Sequence, residues 1–295
     1  MQEQKAIGRG ARMKRSIATA IGAAALIGAL TSTSAMAKVV HNPRGHFLGV
    51  LPSTLHNNSL HAATANGSPP LTYHGGPVQH SSKAYAIFWA PSGNYYPAGA
   101  KAEIAQYFND VHAASYTPSN VYGAATQYCE GVSVGATSCS SASNKFVSYN
   151  VTYGGSVTVT TPFPASGCTN YTLGNGTTTS RCLVDSQLQS EIKSVVAAQG
   201  WKTGLTTEVF LFTPPSMGEC FDSSEQSCYD PEFSPGFCAY HSNIASPQTL
   251  YAFQPWADIT GCVYQSLPDN AYPNDDGADA VVNVMSHEHN ETITD

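Results

Sequence analysis

Eight cysteines constrain this chain more than any other feature. They are Cys129, Cys139, Cys168, Cys182, Cys220, Cys228, Cys238 and Cys262. An even number of cysteines in an exported chain reads as a disulfide framework, here four bridges, and such bridges persist only outside the reducing cytosol. The spacing does not define the pairing. Neighbours are favoured for Cys129–Cys139 and Cys168–Cys182, because each pair brackets a loop rich in Gly, Ser and Thr that needs a staple. The partners of the other four stay open. A cysteine zinc site is the rival reading, but no C-x2-C pair occurs.

The start of the chain agrees with export. Lys5, Arg9, Arg12, Lys14 and Arg15 precede an apolar run from Ile17 to Leu30, which leads into the small-residue stretch Ala35-Met36-Ala37. That order predicts a signal peptide over residues 1–37 with cleavage after Ala37, and Met13 also suits a translation start. The run is shorter than the roughly 20 residues of a membrane-spanning helix, so no stable membrane insertion is expected once the leader is removed. Residues 38–68, rich in His, Asn, Ser and Ala without sustained periodicity, read as a flexible linker or pro-segment. Residues 69–295 read as one secreted domain. The whole chain carries 13 Lys+Arg against 20 Asp+Glu, a net charge of −7, and the leader holds five of those cations. The remainder is acidic and offers no basic face for nucleic acid.

Periodicity predicts alternating strands and helices. Lys83 to Trp89 alternates as a strand, and Ala98 to Ala114 places Ile104, Tyr107, Phe108 and Val111 on one helix face. Phe146 to Tyr153 and Ser156 to Thr160 flank Gly154-Gly155 as an expected hairpin. Asp185 is placed to cap a helix with Leu188, Ile192, Val195 and Val196 on its apolar face and Gly200 at its end. Thr207 to Thr213 reads as a central strand, and Pro214 to Pro235 as irregular chain. Phe237 to Ser242 and Thr249 to Phe253 read as short strands, and a last helix is expected after Asp275-Asp276-Gly277, whose aspartates would cap it. The fold class is therefore α+β, or α/β layered: a mixed sheet with packed helices and disulfide-stapled loops.

The last helix carries the candidate chemistry. His287 and Glu291 are four residues apart, roughly 40° on a helix, so their side chains can converge on one ion. Glu288 is one step round, placed to reach a water rather than the ion. This is the spacing of the H-E-x-x-H zinc helix, with Glu291 in place of the second His and Glu288 as general base. A carboxylate is an acceptable zinc ligand, and it also makes another divalent cation such as Ca2+ or Mn2+ competitive. His289 points roughly 200° away from His287 and cannot share its ion. Asn283 and Asp295, one turn before and after, and His241, on a short strand, are expected to support the ligands or line a substrate. The bland alternative is a solvated polar stripe through Asp279, Asn283, His287, Glu291 and Asp295. Other chemistries find less support. Ser216 lacks the G-x-S-x-G elbow of a serine hydrolase, and His74 reads as a turn residue.

Three blocks carry a family resemblance: Leu71-Thr72-Tyr73-His74-Gly75-Gly76-Pro77-Val78, Phe237-Cys238-Ala239-Tyr240-His241, and Asn283 to Asp295. From about Pro69 to Asp295 the sequence resembles the bacterial branch of the phosphate-induced/EXORDIUM family of secreted proteins. The resemblance implies a metallopeptidase-like helix, compatible with a zincin-like arrangement, in a chain that continues beyond Asp295, so that a third ligand can lie there. The expectation is then a secreted, zinc-dependent hydrolase acting on a polypeptide or cell-surface substrate, with His287 and Glu291 on the metal and Glu288 as base. The alternative, implied by plant members that lack the His-Glu pair, is a non-catalytic extracellular or cell-wall-associated protein that acts by binding or signalling.

Overall fold

Unbroken apolar runs in the central strands require that their sheet be covered on both faces. Strand β3 (Ser82–Trp89) is buried at every position but Lys83, and β6 (Gly204–Phe212) is buried from Thr207 onward. The computed structural model describes residues 38–41, 47–52, 72–117, 120–140, 145–230, 233, 236–263, 274 and 276–294. The expected leader over 1–37 and its cleavage site at Ala37 lie outside these residues. The described part belongs to one unit, Ser34–Asp295.

The other strands are β1 (Lys38–His41), β2 (Phe47–Pro52), β4 (Val151–Val159), β5 (Arg181–Val184), β7 (Met217–Cys220), β8 (Cys228–Tyr229), β9 (Gly236–Ala245) and β10 (Gln248–Gln254). Eight of the ten follow the order β4-β3-β6-β10-β9-β8-β7-β5, while β1 pairs with β2 and β2 with β9. The sheet is mixed. Strands β4, β3, β6 and β10 run parallel, and β9 turns antiparallel to β10. The helices are α1 (Ala100–Ala113), α2 (Asp185–Gln199) and α3 (Asp276–Thr292). Side chains alternate across a strand, so neighbours report opposite faces. Tyr240 of β9 reaches α2 and His241 reaches α3, which puts these two helices on opposite sides of the sheet. Helix α1 packs beside α3, and Phe108 of α1 meets Phe210 of β6 at 4.9 Å between ring centres. This is the layered mixed α/β architecture expected from the alternation.

All eight cysteines are bridged to sequence neighbours: Cys129–Cys139, Cys168–Cys182, Cys220–Cys228 and Cys238–Cys262. Three local expectations are corrected. The hairpin at Gly154-Gly155 is instead one strand, β4, parallel to β3. The glycine marks a close approach rather than a turn, because a Cβ at Gly154 would lie 2.3 Å from the Tyr85 ring. The stretch 214–235 holds β7 and β8, joined by Cys220–Cys228, so a disulfide supplies regular pairing that periodicity did not reveal. Within 38–68, the linker reading fails for residues 38–41 and 47–52, which are strands because the edge of β9 offers them main-chain partners.

On the α2 side, Asp185 departs from its expected capping role. Val184 is the N-cap, and Asp185 is a buried acceptor for the hydroxyls of Tyr240 at 2.8 Å and Tyr251 at 2.6 Å. The Tyr240 hydroxyl also lies 3.0 Å from Glu219 Oε1. Tyr240 donates to Glu219 as well as to Asp185, so its hydroxyl is shared between two buried carboxyl groups. Burial first, then the charge of Asp185, push the Glu219 carboxyl well above its ordinary value of 4.5, against the opposing bond from Tyr240.

Two predictions follow from this packing. Gly154→Ala should lower stability by about 1–3 kcal/mol, because the Tyr85 ring is held by its stack on Trp201 at 4.2 Å; a denaturant midpoint equal to wild type would contradict it. For Glu219 the folded state retains a proton that the unfolded chain releases above about pH 4.5, so this group's contribution to stability falls as pH rises. The Tm of Glu219→Gln minus that of wild type should therefore grow between pH 4.5 and 8, and a difference constant with pH would show that Glu219 is ionised.

Candidate metal centre

Helix α3 has an apolar face of Val281, Val284 and Met285 that sits in the core. Its burial extends further round than that face. Glu288 and His289, about 100° apart on the helix, are both completely buried. A buried ionisable group needs a partner, and two strands supply them. His241 of β9 lies with Nδ1 2.8 Å from Glu288 Oε2, and Glu208 of β6 lies with Oε2 2.8 Å from His289 Nδ1.

The first pair belongs to a larger cluster. His241 Nδ1 is 3.7 Å from Glu291 Oε2, and His287 Nε2 is 2.8 Å from Glu291 Oε1. His241, Glu288 and Glu291 each offer a ligand atom within 4.8 Å of the other two. Glu291 thus stands between two histidines, one on each oxygen. The His287–Glu291 contact is close without being aligned as a hydrogen bond. His287 Nε2, Glu291 Oε2 and Glu288 Oε1 are all buried without a hydrogen-bond partner among the described residues. Glu288 and Glu291 so placed, with His241 beside both, form a group whose ligand atoms lie close enough to fit a shared cation.

The electrostatics are those of a crowded acidic pocket. Burial raises the Glu288 carboxyl above its ordinary value, and Glu291 adds to the shift, while His241 and His287 oppose it. For His287, burial works against the charged form, but Glu291 and then Glu288 outweigh it and the imidazole is raised. A carboxyl with a raised pKa is matched to accepting a proton near neutral pH.

The structure brings four of the residues singled out in the sequence, His287, Glu288, Glu291 and His241, into one cluster. The side chains of His287 and Glu291 are only 23% and 13% exposed, so this is not a solvated stripe. Asn283 is exposed a turn earlier, where its carbonyl accepts from Ser286 Oγ, and it takes no part in the cluster's contacts. Asp279 accepts from the Asn274 backbone and side chain at the start of the helix. Asp295 and Asp275 lie outside the described residues. Glu208 was not anticipated, although a lone acid among Val209, Phe210 and Leu211 in a central strand is the kind of signal that marks a buried partner. A cleft of about 780 Å³, lined in part by Glu103, Asp110, Tyr122 and Asp279, opens between α1 and the start of α3, and no residue of the cluster lines it.

Comparison with protein-family models, with curated proteins and with solved structures finds no match for this chain.

The two buried pairs differ in kind. His289 meets the rings of Tyr122, Tyr149 and Phe210 and is fully enclosed, so it is a structural pair. His289→Ala should cost about 3–5 kcal/mol, because Glu208 is left buried without its partner, while any divalent-cation uptake measured for wild type should be unchanged in the folded fraction. A loss of metal affinity at unchanged stability would reverse this assignment.

Proposed function

We propose that this chain is an exported, metal-dependent hydrolase with peptidase-like chemistry, zinc being the first choice of cation. The observation that carries the reading is the convergence of His241, Glu288 and Glu291 within 4.8 Å, with His287 on the remaining oxygen of Glu291. His287 and Glu291 act as the helix clamp for the ion. When bound, such an ion polarises a scissile carbonyl and lowers the pKa of a water. Glu288 accepts the proton of the attacking water at Oε1, the oxygen left free of hydrogen bonds. His241 holds the other oxygen of Glu288 and so fixes the orientation of the base. Two carboxylates in one site also suit a harder divalent cation.

Export is supported by the basic–apolar–small order of residues 1–37, by the four disulfides, and by the lack, among the described residues, of any helix long and apolar enough to cross a membrane. A polypeptide or cell-surface polymer is the substrate class that this chemistry suits.

The same convergence also admits a second ligand set, with the ion among His241, Glu288 and Glu291 and His287 outside it. Metal analysis of the full chain after zinc loading separates the two. Under the first arrangement His287→Ala loses stoichiometric metal, while Glu288→Gln keeps it and loses hydrolysis of an unfolded protein substrate by about 10²–10⁴-fold. Under the second, Glu288→Gln loses the metal and His287→Ala retains it. Wild-type protein that takes up no divalent cation would end the hydrolase reading and leave the binding protein.

A further inference from the structure

The outer edge of β9 is shared by two very unequal neighbours. Strand β8 covers it only at Gly236 and Phe237. Strand β2 runs along it antiparallel as far as His241, with Leu51 opposite Ala239, Val50 opposite Tyr240 and Gly49 opposite His241. That register runs β2 past the strand residue that belongs to the candidate metal centre. Helix α3, which carries His287, Glu288 and Glu291, packs against β9, β10 and β2 alike. Any strand in this position is therefore next to the cluster.

The occupant comes from a distant part of the sequence. Strand β2 pairs with β1 from Lys38–Val50 to His41–Phe47, and the two form a small unit added to the sheet edge. A sheet edge recognises an extended chain through main-chain hydrogen bonds, whatever its side chains, and alternate positions then read size and polarity. The segment in place, Phe-Leu-Gly-Val-Leu-Pro over residues 47–52, is apolar and carries glycine at the position opposite His241. Glycine within a strand weakens it and marks a place where something approaches closely.

We propose that the edge of β9 at residues 237–241 is the docking edge for an extended polypeptide substrate, apolar and with a small residue opposite His241. The β1–β2 unit holds that edge as an occupant from the chain itself, and substrate takes its place. The term substrate rests on the hydrolase reading above; the docking edge does not.

The test uses the full chain with Gly49→Pro and Val50→Pro made separately. In an antiparallel ladder neighbouring residues turn their N–H groups to opposite sides, so one of the two prolines must remove a donor to β9. In at least one variant, hydrogen exchange over 237–242 should speed up. A synthetic peptide of residues 46–53, added in trans, should bind that variant and restore the protection. Zinc-loaded variant should also cleave an unfolded apolar polypeptide several-fold faster than wild type, with a lower KM. If β9 stays as protected as in wild type in both variants, or if the peptide fails to bind, the docking edge is wrong. Peptide binding without hydrolysis upholds the edge and removes the hydrolase reading. Hydrolysis at an equal rate in wild type and variants upholds the hydrolase and removes the edge.

Discussion

The structure turns on helix α3 lying against the sheet with two ionisable residues facing inward. Glu288 and His289 have no exposed surface, so the helix can settle only where the sheet presents a partner for each. His241 and Glu208 stand on different strands, β9 and β6, with β10 between them. Fixing both contacts at once sets the rotation of α3 about its axis and its height along the strands. Apolar packing of Val281, Val284 and Met285 alone would tolerate rotation and sliding; two buried polar pairs do not. Once α3 is set, the positions of His287 and Glu291 follow, because they are separated from Glu288 by fixed turns of the same helix.

The opposite face of the sheet is organised by a comparable device with different chemistry. Tyr240 and His241 are consecutive, and the strand sends one to each side. Tyr240 joins Asp185 at the start of α2 to Glu219 of β7, which ties the stapled strands β5, β7 and β8 to the centre of the sheet. The Cys168–Cys182 and Cys220–Cys228 bridges lie close together there, with Cys182 and Cys220 sulfurs 4.0 Å apart. Short strands of two to four residues gain little from their own ladder hydrogen bonds, and covalent closure of their loops makes up the difference.

Much of this was legible in the sequence and some of it could not be. Strands β3, β6, β9 and β10 and all three helices announce themselves because their apolar residues recur at the period of the element. The i, i+4 spacing of His287 and Glu291 likewise states their angle on a helix. What spacing cannot state is distance to another element. His241 is 47 residues from Glu288 and Glu208 is 81 from His289, so neither pairing can be read from local pattern, even though His241 itself stood out as a candidate. Strand β4 was hidden because Gly154 serves the packing of Tyr85 rather than a turn. Strands β7 and β8 were hidden because a disulfide, not periodicity, defines them. Strand β2 was hidden because its pairing depends on an edge that exists only after β9 has formed.

The same reasoning gives the four-residue motif its meaning. On an isolated helix, His287, Glu288 and Glu291 would be a polar stripe in water, with ordinary proton affinities and no reason to hold an ion. Packing against β9 removes water from Glu288, raises its carboxyl, and brings His241 to within reach of two carboxylates. The sheet therefore desolvates these side chains and limits their freedom, which is what the proposed metal site requires. It also places the cluster at the one part of β9 where the neighbouring strand, β2, comes from residues 47–52. On the proposed reading, chemistry at the cluster and access to it are governed by the same strand, since a chain paired to β9 is both what stands beside His241 and what must be exchanged for another to take its place.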